Sequence, residues 1–93
     1  MSDEQSAAIL ELSRKSLRQI QVETARTWAY RSWAARALAA ASTSIGKMDK
    51  AECFRMDALE YGHEALEHAA LTGSDDVLRE VRAILADSVS ASF

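Results

Sequence analysis

Not one proline stands in these 93 residues, and glycine stands at only three positions, Gly46, Gly62 and Gly73. An all-β chain reverses direction every few residues and draws on Gly, Pro, Asn and Asp to do so. A proline-free chain with alanine runs such as "WAARALAAA" (33–41) lacks that turn chemistry. Helices remain: alanine loses no side-chain freedom in a helix, and no residue here forbids helical backbone. The length fits a single helical domain, residues 1–93, whose core is small enough to favour a partner or self-association.

Two breaks divide the helical pattern. In "TSIGKMD" (43–49) Gly46 ends the first segment, and Asp49 is positioned to cap the second. In "TGSDD" (72–76) Gly73 suits the left-handed position that closes a helix. Ser74 then caps a third helix with Asp75 and Asp76 in its first turn. The spacing predicts three helices, about 4–43, 49–72 and 75–88, in an all-α antiparallel bundle with a long first helix. The closing "SASF" is expected to fray.

The first helix spans on the order of 60 Å at 1.5 Å per residue. Winding it at about 100° per residue places Leu10, Leu17 and Ile20 on one side, with Arg14, Lys15 and Arg18 on the other. In its second half Trp28, Ala35 and Ala39 continue the first stripe, and Val22, Ala25, Ala29, Trp33 and Ala40 make another opposite it. An apolar surface on both sides implies two neighbours, with Trp28 and Trp33 supplying the bulk among the alanines. The second helix is too short to reach Leu10, Leu17 and Ile20, so these are expected to meet a protein partner or a second copy. The interaction surface is thus assigned to Leu10, Leu17, Ile20, Trp28 and Trp33.

On the second helix Ala51, Phe54, Ala58, Tyr61, Ala65 and Ala69 form the core stripe, flanked by Met48, Leu59, Leu66 and Ala70. Gly62 costs up to about 1 kcal/mol relative to alanine inside a helix, which points to another backbone close by, near Trp33. The remaining arc holds Asp57, Glu60, His63, Glu64, Glu67 and, at its edge, His68.

That arc carries two metal-like spacings. Glu60-x-x-His63 matches the carboxylate–histidine pair of di-iron bundles, in which a further glutamate comes from a facing helix. Glu64 and His68 lie one turn apart, and a hairpin turning at residue 46 brings Glu23 level with them. Glu23, Glu60, His63, Glu64 and His68 are the candidate ligands for iron or zinc, at a site assembled between subunits. Otherwise the arc is a solvated acidic face, and no cofactor is expected.

Other chemistry finds little support. The net charge of −3 divides unevenly: residues 1–46 carry six Lys/Arg and four Asp/Glu, residues 47–93 five and ten. This split favours pairing between halves or subunits and disfavours general nucleic-acid binding, for which Arg14, Lys15 and Arg18 are the single basic patch. Cys53 is the only cysteine, so no internal disulfide forms, in keeping with a reducing, cytoplasmic setting. The opening "MSDEQSAAILEL" lacks the positive charge of a signal peptide, and no stretch approaches the roughly 20 apolar residues of a membrane span. No phosphate loop, paired-cysteine motif or Ser/His/Asp set can be assembled, and Cys53 lies turns away from both histidines.

Two resemblances add to this. "EALEHAAL" (64–71) resembles the Glu- and His-rich second helix of encapsulated ferritin-like proteins, departing from them at Ala65, three before His68. That likeness implies a helical hairpin completing a ferroxidase site on dimerising. Residues 36–66 resemble a tetratricopeptide-type hairpin through Leu38, Ala39, Gly46, Ala51 and Ala58, departing at Ser42 and Arg55. This likeness implies hairpin packing and a bias toward binding proteins. The expected function is a small non-enzymatic interaction module of adaptor, co-chaperone or inhibitor type, a homodimer or larger. The alternative is a metal-binding, ferritin-like hairpin, and a nucleic-acid regulator stands third.

Overall fold

The computed structural model describes residues 2–87, and helix is the only regular structure among them. The three helices are α1 (Asp3–Ser44), α2 (Met48–Leu71) and α3 (Asp75–Ala86). The molecule measures 66 × 20 × 18 Å, its length set by α1. The expected boundaries hold to within two residues. The expected end of the third helix at Ser88, and the fraying of residues 90–93, lie outside the described residues.

Local chemistry sets each boundary. Ser2 opens α1 with a capping box: its hydroxyl accepts from the Gln5 amide at 3.2 Å, and Gln5 Oε1 accepts from the Ser2 amide at 3.1 Å. Gly46 (φ 77°) and Gly73 (φ 67°) take the left-handed conformation that ends α1 and α2. Ser74 caps α3 by accepting from the Val77 amide at 3.4 Å. Asp49 does not cap α2 as expected. The N-cap is Lys47, with no side-chain cap bond, and Asp49 stands in the first turn. The turn after Gly46 is closed by the Lys47 amide donating to Ser42 O at 2.8 Å, so the helix starts before Asp49 can serve.

α2 lies along the second half of α1. Ser32 Oγ donates to Ala58 O at 2.8 Å, and the Trp28 ring lies 5.6 Å from Tyr61 and 6.4 Å from His68. The contact is made of small residues: Ala25, Ala29, Ser32, Ala35, Ala39 and Ser42 on α1 meet Ala51, Ala58, Ala65 and Ala69 on α2. α3 closes over one side with Val77 and Val81, and Val81 is the largest fully buried side chain among the described residues.

Bulk is therefore not where the winding placed it. Trp33 is 36% exposed and Trp28 only half-buried; Met48 and Leu59 are exposed. Alanine on both helices leaves no room for an indole at the centre, so the tryptophans lie at the edges of the seam.

Gly62 also differs from expectation. A Cβ there would sit 3.4 Å from Ser32 Oγ and 3.6 Å from Leu85 Cδ2, beside two side chains and away from Trp33. Those are ordinary contact distances, so an added methyl fits. Gly62→Ala is expected to stabilise the fold by about 0.5–1 kcal/mol through helix propensity. Chemical denaturation that shows a loss instead would mean that the neighbouring side chains cannot accept the methyl.

Candidate functional site

α1 is longer than α2 by most of its first half. From Asp3 to Ile20 every side chain except Ser6 is exposed, and α2 and α3 begin to cover the helix only from Gln21 and Val22. Leu10, Leu17 and Ile20 are 57%, 57% and 58% exposed, and Ile9 and Leu12 join them. Three of the five expected surface residues thus lie on one uncovered arm. Trp28 and Trp33 lie within the covered half, against α2 and α3 respectively.

Polar clasps at the middle and the C-terminal end of α3 hold it in place. Arg26 meets Glu80 through two bonds, Nε to Oε1 at 2.7 Å and Nη2 to Oε2 at 3.0 Å. The hydrogen bond and charge of Glu80 raise the Arg26 pKa further, so the guanidinium stays charged. At the C-terminal end of α3 Arg36 donates to the carbonyls of Ile84 and Asp87, each at 3.0 Å, and Trp33 Nε1 donates to Asp87 Oδ2 at 3.0 Å. A cation at the carbonyl end of a helix complements its dipole. None of these three contacts has a signature in the sequence, because the partners lie about fifty positions apart.

With α3 on one side of the α1–α2 pair, the other side stays open. Two adjoining hollows, of about 370 and 280 Å³, share Arg31 and include no α3 residue. Together they run from Ile20 past Trp28 to Leu38, with Phe54, Asp57 and Tyr61 of α2 on the far wall. The Arg31 guanidinium lies 5.0 Å from the Trp28 ring centre and covers its face. On the α3 side a separate hollow of about 600 Å³ is lined by Arg36, Arg55, Leu59, Gly62, Leu66 and Leu85, among others. Of these residues Trp28 was expected at a contact surface, Phe54 and Tyr61 in the core stripe and Leu38 in hairpin packing, while Arg31 carried no signal.

The Glu/His arc faces outward. His63 pairs loosely with Glu67 at 3.7 Å rather than with Glu60, and His68 lies 3.6 Å from Glu64. Glu23 accepts from Gln19 Nε2 at 3.3 Å. Of the five candidate ligands, one pair, Glu64 and His68, comes together. No three His, Cys, Asp or Glu side chains converge among the described residues, so a metal site would need donors from a second chain. Cys53 is exposed on α2.

No described helix is long and apolar enough to cross a membrane. No family model matches this chain, and no curated protein or solved structure matches it either.

Proposed function

We propose that the chain is a non-enzymatic helical interaction module, an antiparallel three-helix bundle that binds a protein partner through the free arm of α1, a second copy being the first such partner. One observation carries the reading: Leu10, Leu17 and Ile20 share a side of a helix and are each more than half exposed. Contiguous apolar surface of this kind marks a contact site in a soluble chain. The arm needs support too, because an isolated helical stretch shorter than about 12–15 residues is marginal in water and a somewhat longer one gains most of its stability from packing. The local basic group Arg14, Lys15 and Arg18 on the arm, beside the acid excess of α2, favours a helical partner of complementary charge.

Light scattering on the full chain tests the reading. The chain is expected to run as a dimer or larger at micromolar concentration. A Leu10→Glu, Leu17→Glu, Ile20→Glu variant is expected to run as a monomer with most of its helix content retained. A parent chain that stays monomeric, and captures no helical partner through these residues, overturns it.

A further inference from the structure

We infer that the occupant of the open hollow between α1 and α2 is the arm of a second copy of this chain, laid in antiparallel and answered by the first copy's arm in the second copy's hollow. The inference rests on the interaction reading above and adds the surface, the orientation and the charge pairing.

The sequence line comes first. Leu10, Leu17, Thr24, Arg31 and Leu38 recur every seven residues, so they lie on nearly one side of α1, drifting about 20° per repeat. The first two are the apolar side of the arm, and the last three wall the open hollow. Arm stripe and hollow therefore face the same way. A two-fold rotation about an axis crossing that face lays each arm along the other copy's hollow, which is the isologous contact that closes on itself.

Length fixes where the axis lies. The arm from Asp3 to Gln21 is about 28 Å long and the hollow from Gln21 to Leu38 about 26 Å, at 1.5 Å per residue. An axis near Gln21 fills the hollow and leaves no arm residue uncovered. A nearer approach would drive the two 72–74 turns together. In this register Leu10 reaches the level of Ser32, Arg14 that of Trp28, and Arg18 that of Thr24.

Charge then agrees without adjustment. Trp28 packs against Tyr61 and His68 of its own α2, so Glu64 stands at the Trp28 level, and Glu67 beside His68 stands near the Thr24 level. Arg14 and Arg18 lie one and two turns beyond Leu10, about 40° and 80° round the helix, so they stand beside the Leu10–Leu17 side rather than opposite it as the winding of the sequence had them, and they turn toward the partner's α2. Arg14 thus comes level with Glu64 on the acidic flank, and Arg18 comes level with Glu67 further out on the same arc. Glu64 and Glu67 have only weak contacts of their own, to histidines at 3.6 and 3.7 Å. The four charges pair twice over, once in each half of the dimer.

A charge-reversal experiment on the full chain separates this arrangement from others. Arg14→Glu with Arg18→Glu gives a copy acidic on both surfaces; Glu64→Lys with Glu67→Lys gives one basic on both. Each variant alone is expected to self-associate at least about ten-fold more weakly than the parent. An equimolar mixture is expected to recover the parent dimer mass, because each arm then faces a flank of opposite sign. Circular dichroism of each variant confirms that the helices persist. If the mixture recovers nothing, or if Leu17→Glu disperses the parent dimer while both charge variants leave it intact, this docking is overturned and the interaction reading stands. A parent chain that is monomeric at every concentration overturns this docking, and the interaction reading falls with it only if the arm also captures no helical partner.

Discussion

Ala65→Leu is expected to lower the stability of the fold by about 3 kcal/mol or more, at the upper end of what overpacking costs. Ala65 has no exposed surface and lies in the same cluster as Ala25, Ala29 and Ala69, which have none either. Each extra methyl group must therefore displace α1 or α2 bodily, because the facing side chains are single methyls that cannot turn aside. In a domain of this size 1 kcal/mol shifts the melting point by about 4–8 °C, so the variant should melt some 12–24 °C lower. The contrast is Ala70→Leu, five positions on at an exposed site of the same helix, which should stay within about 0.5 kcal/mol of the parent. Thermal melts of the two variants side by side check the claim. Equal melting points would mean that the helices are not held together by the alanine seam.

Arg36→Met is expected to cost about 2 kcal/mol and to loosen α3 before the other helices. Two effects oppose each other here. Methionine removes a half-buried charge whose Nε has no partner among the described residues, which favours the variant. It also strips the Ile84 and Asp87 carbonyls of a charged donor at the end of α3, and such bonds are worth about 1.5–3 kcal/mol each in gross terms. The loss wins because both bonds have good length and because α3 has only twelve residues, too few to hold its helix without docking. Arg36→Lys should recover part of the loss, since one ammonium cannot serve two carbonyls in the fixed fork of a guanidinium. Hydrogen exchange that quickens first in α3 would bear this out; uniform quickening along the chain would contradict it.

The sequence made the helix ends readable because their causes are local. Gly46, Gly73 and Ser74 act within one or two residues of where they stand. The Ser2-x-x-Gln5 box that opens α1 was equally local and could have been found the same way. Asp49 misled because the turn bond from Lys47 to Ser42, and not a carboxylate, begins α2. The burial pattern was harder to foresee. On a helix as rich in alanine as α1, every direction looks apolar, so winding could not tell that Ser32 and Ser42 point inward while Trp33 does not.

The candidate surface divides in the same way. The exposure of Leu10, Leu17 and Ile20 followed from arithmetic alone, since 24 residues of α2 cannot cover the 42 of α1. Which side of the pair stays open could not be foreseen. It depends on where α3 docks, and that is decided by Arg26 with Glu80 and by Arg36 with the end of α3, contacts across 48 to 54 positions. No periodicity carries such information.

A seam of methyl groups has one property that larger cores lack. It leaves the choice of alignment to what flanks it. Slid by one turn, the places of Ala58 and Ala65 on α2 would pass to Phe54 and Tyr61, whose rings have no room against Ala29, Ser32 and Ala35. The Ser32 hydroxyl adds a polar pin to the same alignment, donating to the Ala58 carbonyl at 2.8 Å. How far the arm projects is thus set by where the rings are kept out.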